Sequence, residues 1–293
     1  MQEIMNRIKA RALELLSDGT VNRVIGWEKG ETETDWSPAL FENAEEMNGF
    51  VYGAYAGANL SKYCLKFNQQ EGKTLVVLKP CDALSFKQLI HEHRVNREKF
   101  FIIGAGCKGM CDENGALLKC SACKTKEFEI FDEIIDDEEA RVLPETADRM
   151  ADVRKIESMT AEERFEFWRG ELSRCIRCNA CRNVCPACTC VKCVFDNPAT
   201  GVQSKAPVTD FEENMFHIIR AFHVAGRCTD CGECSRVCPQ NIPLHLLNRK
   251  FIKDINELYG DYQAGVGDEE RTPLTSYTKE DVEPGIVYER GNA

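Results

Sequence analysis

One repeat constrains this chain more than any other feature. Cys175-Ile-Arg-Cys178-Asn-Ala-Cys181-Arg-Asn-Val-Cys185-Pro186 recurs as Cys228-Thr-Asp-Cys231-Gly-Glu-Cys234-Ser-Arg-Val-Cys238-Pro239, with every cysteine and proline in register. Each copy is C-x2-C-x2-C-x3-C-P, a run that ligates [4Fe–4S] clusters. Three thiolates two residues apart wrap a short loop round one face of a cube. The fourth, followed by proline, leaves that loop and reaches the other cluster. One cluster is thereby assigned to Cys175, Cys178, Cys181 and Cys238, and the second to Cys228, Cys231, Cys234 and Cys185. A structural zinc site would use two C-x2-C pairs instead.

Seventeen of the 293 residues are cysteine, and they are clustered. A secreted disulfide scaffold would be short and carry an export signal, whereas Met1–Ala10 has neither an apolar stretch nor a small-residue cleavage site. In a reducing compartment clustered thiols read as metal ligands. No apolar run approaches the roughly 18–20 residues of a membrane span, so direct membrane insertion is not expected and the location is read as cytoplasmic. A formal charge of −11 with no basic stripe argues against a nucleic-acid partner.

Beyond the repeat, Cys107-Lys-Gly-Met-Cys111 and Cys120-Ser-Ala-Cys123 place four thiols close enough in sequence to close round one further metal. Cys111 is the expected fourth ligand. Cys81, in Leu78-Lys-Pro-Cys81-Asp82 at a helix start, could replace it, or join Cys188, Cys190 and Cys193, which lack a fourth partner of their own. For the 107–123 site [4Fe–4S] is favoured over zinc, because a relay gains another electron site. Cys64 reads as a packed core residue. Gly104-Ala-Gly106-Cys-Lys-Gly109 formally satisfies G-x-G-x-x-G, but two cysteines and an interrupted helix argue against nucleotide binding; the glycines are expected to let backbone amides approach a cluster. No histidine has a partner at metal spacing, and His217 and His223 read as satisfied packing residues.

The pattern predicts an α+β chain: a mixed α/β domain over 1–155 with a cysteine-rich metal loop, an all-helical ferredoxin-like domain with two [4Fe–4S] clusters over 156–262, and an extended tail over 263–293. A helix is expected at 3–16 with Ile4, Ile8, Ala12 and Leu15 on one face, and another at 82–92 with Asp82 as its cap. Strand-like runs lie at 21–27, 74–79, 100–104, 128–131 and 141–143, and the acidic 132–139 reads as a solvated turn. Capping boxes at Thr160–Glu163 and Thr209–Glu212 open helices, the second with Phe211, Met215, Ile218, Ile219 and Phe222 on its face. That helix is expected to pack between the clusters, with at most one of Phe216 and Phe222 facing the core. A third helix is expected at 243–259.

The residues Leu78-Lys-Pro-Cys81-Asp82, Asn96 to Gly104, Cys107-x-Gly-Met, Cys120-x-x-Cys123 and the Cys175 run together resemble the deazaflavin-reducing hydrogenase and formate dehydrogenase beta-subunit family. Ala221 to Cys228 and on to Ile242-Pro-Leu resembles the helical dicluster subunits that accompany heterodisulfide reductase-like complexes of anaerobes. The resemblance covers roughly residues 50–265 and implies passage of electrons among flavin, nicotinamide, ferredoxin and hydrogenase or formate dehydrogenase modules. The expected role is an electron-relay subunit whose partners are other redox subunits (a flavoprotein, hydrogenase, formate dehydrogenase or heterodisulfide reductase-like chain), with ferredoxin a further candidate. The alternative is an autonomous flavin- or deazaflavin-dependent reductase; flavin-bearing relatives are longer. A regulatory iron–sulfur protein fits two adjacent clusters less well.

Overall fold

The computed structural model describes residues 1–145, 147–196, 210–268 and 273, and the backbone alone at 210–213. The chain opens with α1 (Gln2–Ser17), which buries Ile4, Ile8, Ala12 and Leu15, the face its 3.6-residue period predicts. Fully burying each of the larger three contributes roughly 1.5–3 kcal/mol. Then come β1 (Arg23–Lys29), β2 (Trp36–Phe41), β3 (Phe50–Val51), α2 (Ser61–Phe67), β4 (Thr74–Leu78), α3 (Pro80–His91) and β5 (Phe100–Ala105). A two-residue hairpin, β6 (Cys111–Asp112) and β7 (Gly115–Ala116), leads to α4 (Leu118–Ser121), β8 (Glu133–Ile135) and α5 (Glu138–Arg141). The main sheet runs β2-β1-β4-β5-β8, with β1, β4, β5 and β8 parallel and β2 and β3 antiparallel to β1. β4 is buried along its whole length, as a central parallel strand should be.

Several local expectations change. β2 carries Pro38 and a poor strand pattern; it survives because it lies at the sheet edge, where a missing N–H is tolerated. The 128–131 run is not a strand: Phe128 fills the space over Gly104, where a Cβ would sit 2.9 Å from its ring. The strand comes afterwards, inside the acidic stretch, where Arg11 holds Glu133 at 2.6 Å. Residues 141–143 end a helix and leave Val142 and Leu143 exposed. Gly106 also serves packing, since its Cβ would meet Asp136 and Ala140 within 3 Å.

Asp82 does not cap α3; Lys79 is the N-cap residue. Instead the two form an ion pair at 2.6 Å, both side chains wholly buried. Lys79 Nζ also donates to the Ala58 carbonyl at 2.8 Å and lies 4.4 Å from the Trp27 ring centroid. Asp82→Ala, which strands that ammonium, is expected to cost about 3–5 kcal/mol. Lys79→Met with Asp82→Leu should recover most of it, as read from urea midpoints. A single variant as stable as wild type would refute the pairing.

The second half is helical: α6 (Ala151–Glu157), α7 (Ala161–Leu172), α8 (Ala180–Asn183), α9 (Asp210–His223), α10 (Glu233–Arg236) and α11 (Leu244–Tyr259). Among the described residues no strand lies between 156 and 262, and no helix is long and apolar enough to cross a membrane. The capping box of α7 is complete, with Thr160 Oγ1 accepting from Glu163 N at 3.2 Å and Glu163 Oε2 from Thr160 N at 2.9 Å. Thr209, in the second expected box, lies outside the described residues.

α9 turns the other way from its apolar stripe. Met215, Ile218 and Phe222 are exposed, whereas Asn214, Phe216, His217, Arg220, Ala221 and Val224 are buried. Phe216 faces inward and Phe222 outward, consistent with their spacing. Phe222 meets Phe251 of α11 edge to face with centroids 4.6 Å apart, so part of the stripe leans on a neighbouring helix.

The two halves are joined by buried polar ties. Glu233 of α10 pairs with Lys119 of α4 at 2.7 Å and Arg236 at 2.8 Å, and accepts from Asn59 N at 3.2 Å. Ser85 and Thr229 hydroxyls meet at 2.7 Å. Residues 262–268 return to α3, where Gly265 N donates to Gln88 Oε1 at 3.0 Å. Gly265 has φ +83° and its Cβ would lie 2.1 Å from the Leu84 carbonyl, so only glycine fits.

Candidate metal centres

The two cysteine runs fold alike. Arg177 and Asp230, each two residues after the first cysteine, have φ near +52° and donate their N–H to that sulfur, Cys175 at 3.3 Å and Cys228 at 3.4 Å. Two positions on, Asn179 (φ 62°) and Gly232 (φ 70°) are again left-handed and open the matched short helices α8 and α10. Three of these four residues are not glycine, and each such position costs of order 1–3 kcal/mol. Alternation of right- and left-handed residues turns successive N–H groups into one concavity, the kind of nest that takes an anion.

Across the runs the neighbours are mixed. Cys181 has Cys238, Cys178 and Cys185 as neighbours, and Cys175 and Cys238 pack round the core that holds both Cys181 and Cys234. Cys185 lies beside Cys228 in another small core and is also a charged neighbour of Cys231 and Cys234. Thiols of the two runs therefore pack among one another, Cys238 in the core that holds Cys181 and Cys234, and Cys185 beside Cys228. Burial pushes the Cys228 and Cys234 thiols up to about 12. Buried thiols of this kind deprotonate when a cation binds, so loading releases protons.

Cys81, Cys107, Cys111, Cys120 and Cys123 line one cavity of about 310 Å³. Cys120 neighbours Cys107 and Cys123, and Cys107 neighbours Cys81. Cys111 is held in the β6–β7 hairpin, donating its N–H to Ala54 O at 2.7 Å. Met110 N donates to Cys120 Sγ at 3.2 Å. Of the three glycines expected near a cluster, only Gly109 (φ +107°) lines the cavity. Among the described residues no group of three or more Cys, His, Asp or Glu closes tightly enough to hold a single metal ion.

Five lysines (79, 108, 119, 124 and 126) share the wall of this cavity. Burial opposes the Lys119 charge, but Glu233 and then Asp82 outweigh it and hold the ammonium above its ordinary value. Burial pulls Lys124 below its own, and its Nζ has no hydrogen-bond partner among the described residues. Sequence reading missed these lysines although the signal was present: most flank a cysteine, as in Cys107-Lys108, Lys119-Cys120 and Cys123-Lys124. Cys231 and Asp230 line the same cavity, so it borders the second run directly.

Cys188, Cys190 and Cys193 do not gather with Cys81. Cys188 shares a hydrogen bond with Cys185 that lowers the Cys185 thiol and raises its own. Cys193 bonds Arg182, which also pairs with Asp196 at 2.9 Å, and Cys190 is exposed. Cys64 is buried in the main core.

Two residues on the inner face of α9 were misread or missed. His217 is 1% exposed and neither ring nitrogen has a hydrogen-bond partner among the described residues, so it is not a satisfied packing histidine. Burial, then Arg220 and Arg177, lower it to about 3 and keep it neutral. Arg220 is 2% exposed, and all three guanidinium nitrogens lack a hydrogen-bond partner among the described residues. Burial works against its charge, and Cys234, Cys181, Cys185 and Cys188 outweigh that. Residues 211–225 give no local sign of this, because only tertiary packing brings them to the thiols.

Fifteen thiols outside the main core, left-handed nests and an orphaned buried cation form a donor set for anionic, thiolate-bound iron–sulfur clusters. Comparison with known proteins agrees. Residues 171–242 match the family model of the 4Fe-4S dicluster domain. The chain is 23% identical to the F420-dependent formate dehydrogenase subunit beta of Methanocaldococcus jannaschii, over 86% of this chain and 89% of that protein. It is 29% identical to the F420-dependent formate dehydrogenase 1 subunit beta of Methanococcus maripaludis, over 37% of this chain and 27% of that one. This homology fits the beta-subunit resemblance read from the motifs and supports an iron–sulfur electron-transfer subunit.

Proposed function

We propose that this chain relays electrons between modules of a multi-subunit oxidoreductase of hydrogenase, formate dehydrogenase or heterodisulfide reductase-like type. What supports the reading is the packing of thiols from both runs into shared small cores, together with the cavity that joins Cys231 to the N-terminal thiols. Cys175, Cys178, Cys181 and Cys238 would hold one [4Fe–4S] cluster, and Cys228, Cys231, Cys234 and Cys185 the other. Cys107, Cys120 and Cys123 would hold a third centre. Its fourth ligand would be Cys111 or Cys81, both of which line the same cavity. Clusters of this type supply one-electron transfer. The lysines round the N-terminal cavity balance thiolate charge there, and the nest amides donate to sulfur. In this reading the second set borders the N-terminal cavity through Cys231, and Cys178 of the first set is exposed.

Anaerobic purification of the full chain, with its associated chains identified by mass spectrometry, tests the reading. About twelve irons per chain, no stoichiometric flavin and co-purifying redox subunits are expected. A lone chain with bound flavin that reduces a deazaflavin unaided would make it an autonomous reductase instead.

A further inference from the structure

A buried guanidinium with no hydrogen-bond partner is the least explained group in this chain. Arg220 is 2% exposed and its nitrogens meet no acceptor among the described residues. Leaving a charge buried and uncompensated costs several kcal/mol, so packing alone would favour leucine or methionine there. Val224, one turn further along the same face, packs in one small core with Cys185, against which Cys188 and Cys228 lie, and the groups whose negative charge would offset the cost at Arg220 are thiols of both runs, Cys234, Cys181, Cys185 and Cys188. His217, one turn earlier on the same face, is neutral and supplies no counter-charge.

The geometry points to Arg220 as a positioning residue that sets the reduction potentials of both dicluster centres together, through one fixed positive charge held between them. This inference rests on the dicluster reading above. Each reduction adds one negative charge near a cation that helix α9 and the surrounding core hold in place. In a poorly solvated interior such a charge acts with little screening, and it favours the reduced form at both centres. A residue touching one centre would move only one potential; a shared cation moves two.

The test is a potentiometric titration followed by electron paramagnetic resonance on the anaerobic full chain, comparing wild type, Arg220→Gln and Arg220→Lys. Arg220→Gln is expected to keep its iron and to shift both couples to more negative potential, each by tenfold or more in the reduction equilibrium, about 59 mV for one electron. Arg220→Lys should stay near wild type, because the charge survives. Unchanged potentials in a fully loaded Arg220→Gln, or a shift in one couple alone, would overturn the inference while leaving the relay reading intact. Should Arg220→Gln fail to retain iron, Arg220→Lys decides: retained clusters support a requirement for charge, and loss there too overturns it. A wild-type chain that holds no clusters overturns both readings.

Discussion

Replacement of Cys238 by alanine is expected to remove about four irons from the site formed by Cys175, Cys178 and Cys181 and to spare the site formed by its own sequence neighbours. Cys238 is a neighbour of Cys181 and packs with Cys175 round the core that Cys181 and Cys234 share. Cys185→Ala should do the reverse, damaging the centre at Cys228, Cys231 and Cys234, whose charged neighbour Cys185 is. Both variants keep three thiols at each damaged site, so partial loading as a three-iron species is a second permitted signature. Iron analysis with electron paramagnetic resonance, run alongside Cys175→Ala and Cys228→Ala as markers of the two centres, separates the assignments. If Cys238→Ala and Cys228→Ala lose the same signal, the exchange of ligands is wrong.

The second large effect belongs to the N-terminal cavity. Cys120→Ala is expected to lower iron from about twelve to about eight per chain and to leave both dicluster signals unchanged. One of Cys111→Ala and Cys81→Ala should do the same and the other should not, which identifies the fourth ligand, since both thiols line the cavity. Eight irons in wild type, untouched by Cys120→Ala, would leave only the dicluster. Eight irons with one zinc would keep a site and remove its electron-transfer role. The lysines predict a further result. Lys124 is buried without a hydrogen-bond partner among the described residues, so Lys124→Met should stabilise the metal-free chain while weakening cluster retention in the cavity.

Legibility from sequence followed the range of the interaction. The α1 face, the α7 capping box and the 244–259 helix were readable because their determinants lie within one or two turns of each other. The strands at 74 and 100 were readable as buried apolar runs. The short β8 was not, because its three residues are strand only through the ladder with β5 and the hold of Arg11 on Glu133. The orientation of α9 was misread for a related reason. Its apolar stripe is the stronger local signal, yet the cysteine loops and the core round Phe195 and Phe216 take the opposite face.

The candidate ligands and their proposed grouping are read from residue spacing alone. C-x2-C-x2-C is a local loop whose geometry is set by three backbone units, and proline after the fourth cysteine ends that loop in any context. What spacing cannot specify is which buried cation packs beside two such loops and which thiol from a distant strand end shares a cavity with Cys107, Cys120 and Cys123. Arg220 reaches Cys181 and Cys234 because α9 packs against α7 and α11. Cys81 reaches Cys107 because β4 and β5 are adjacent parallel strands that deliver their C-terminal ends to one edge. Those decisions belong to the sheet and the helix packing, since residues far apart in the chain are brought together only by the burial of the surfaces between them.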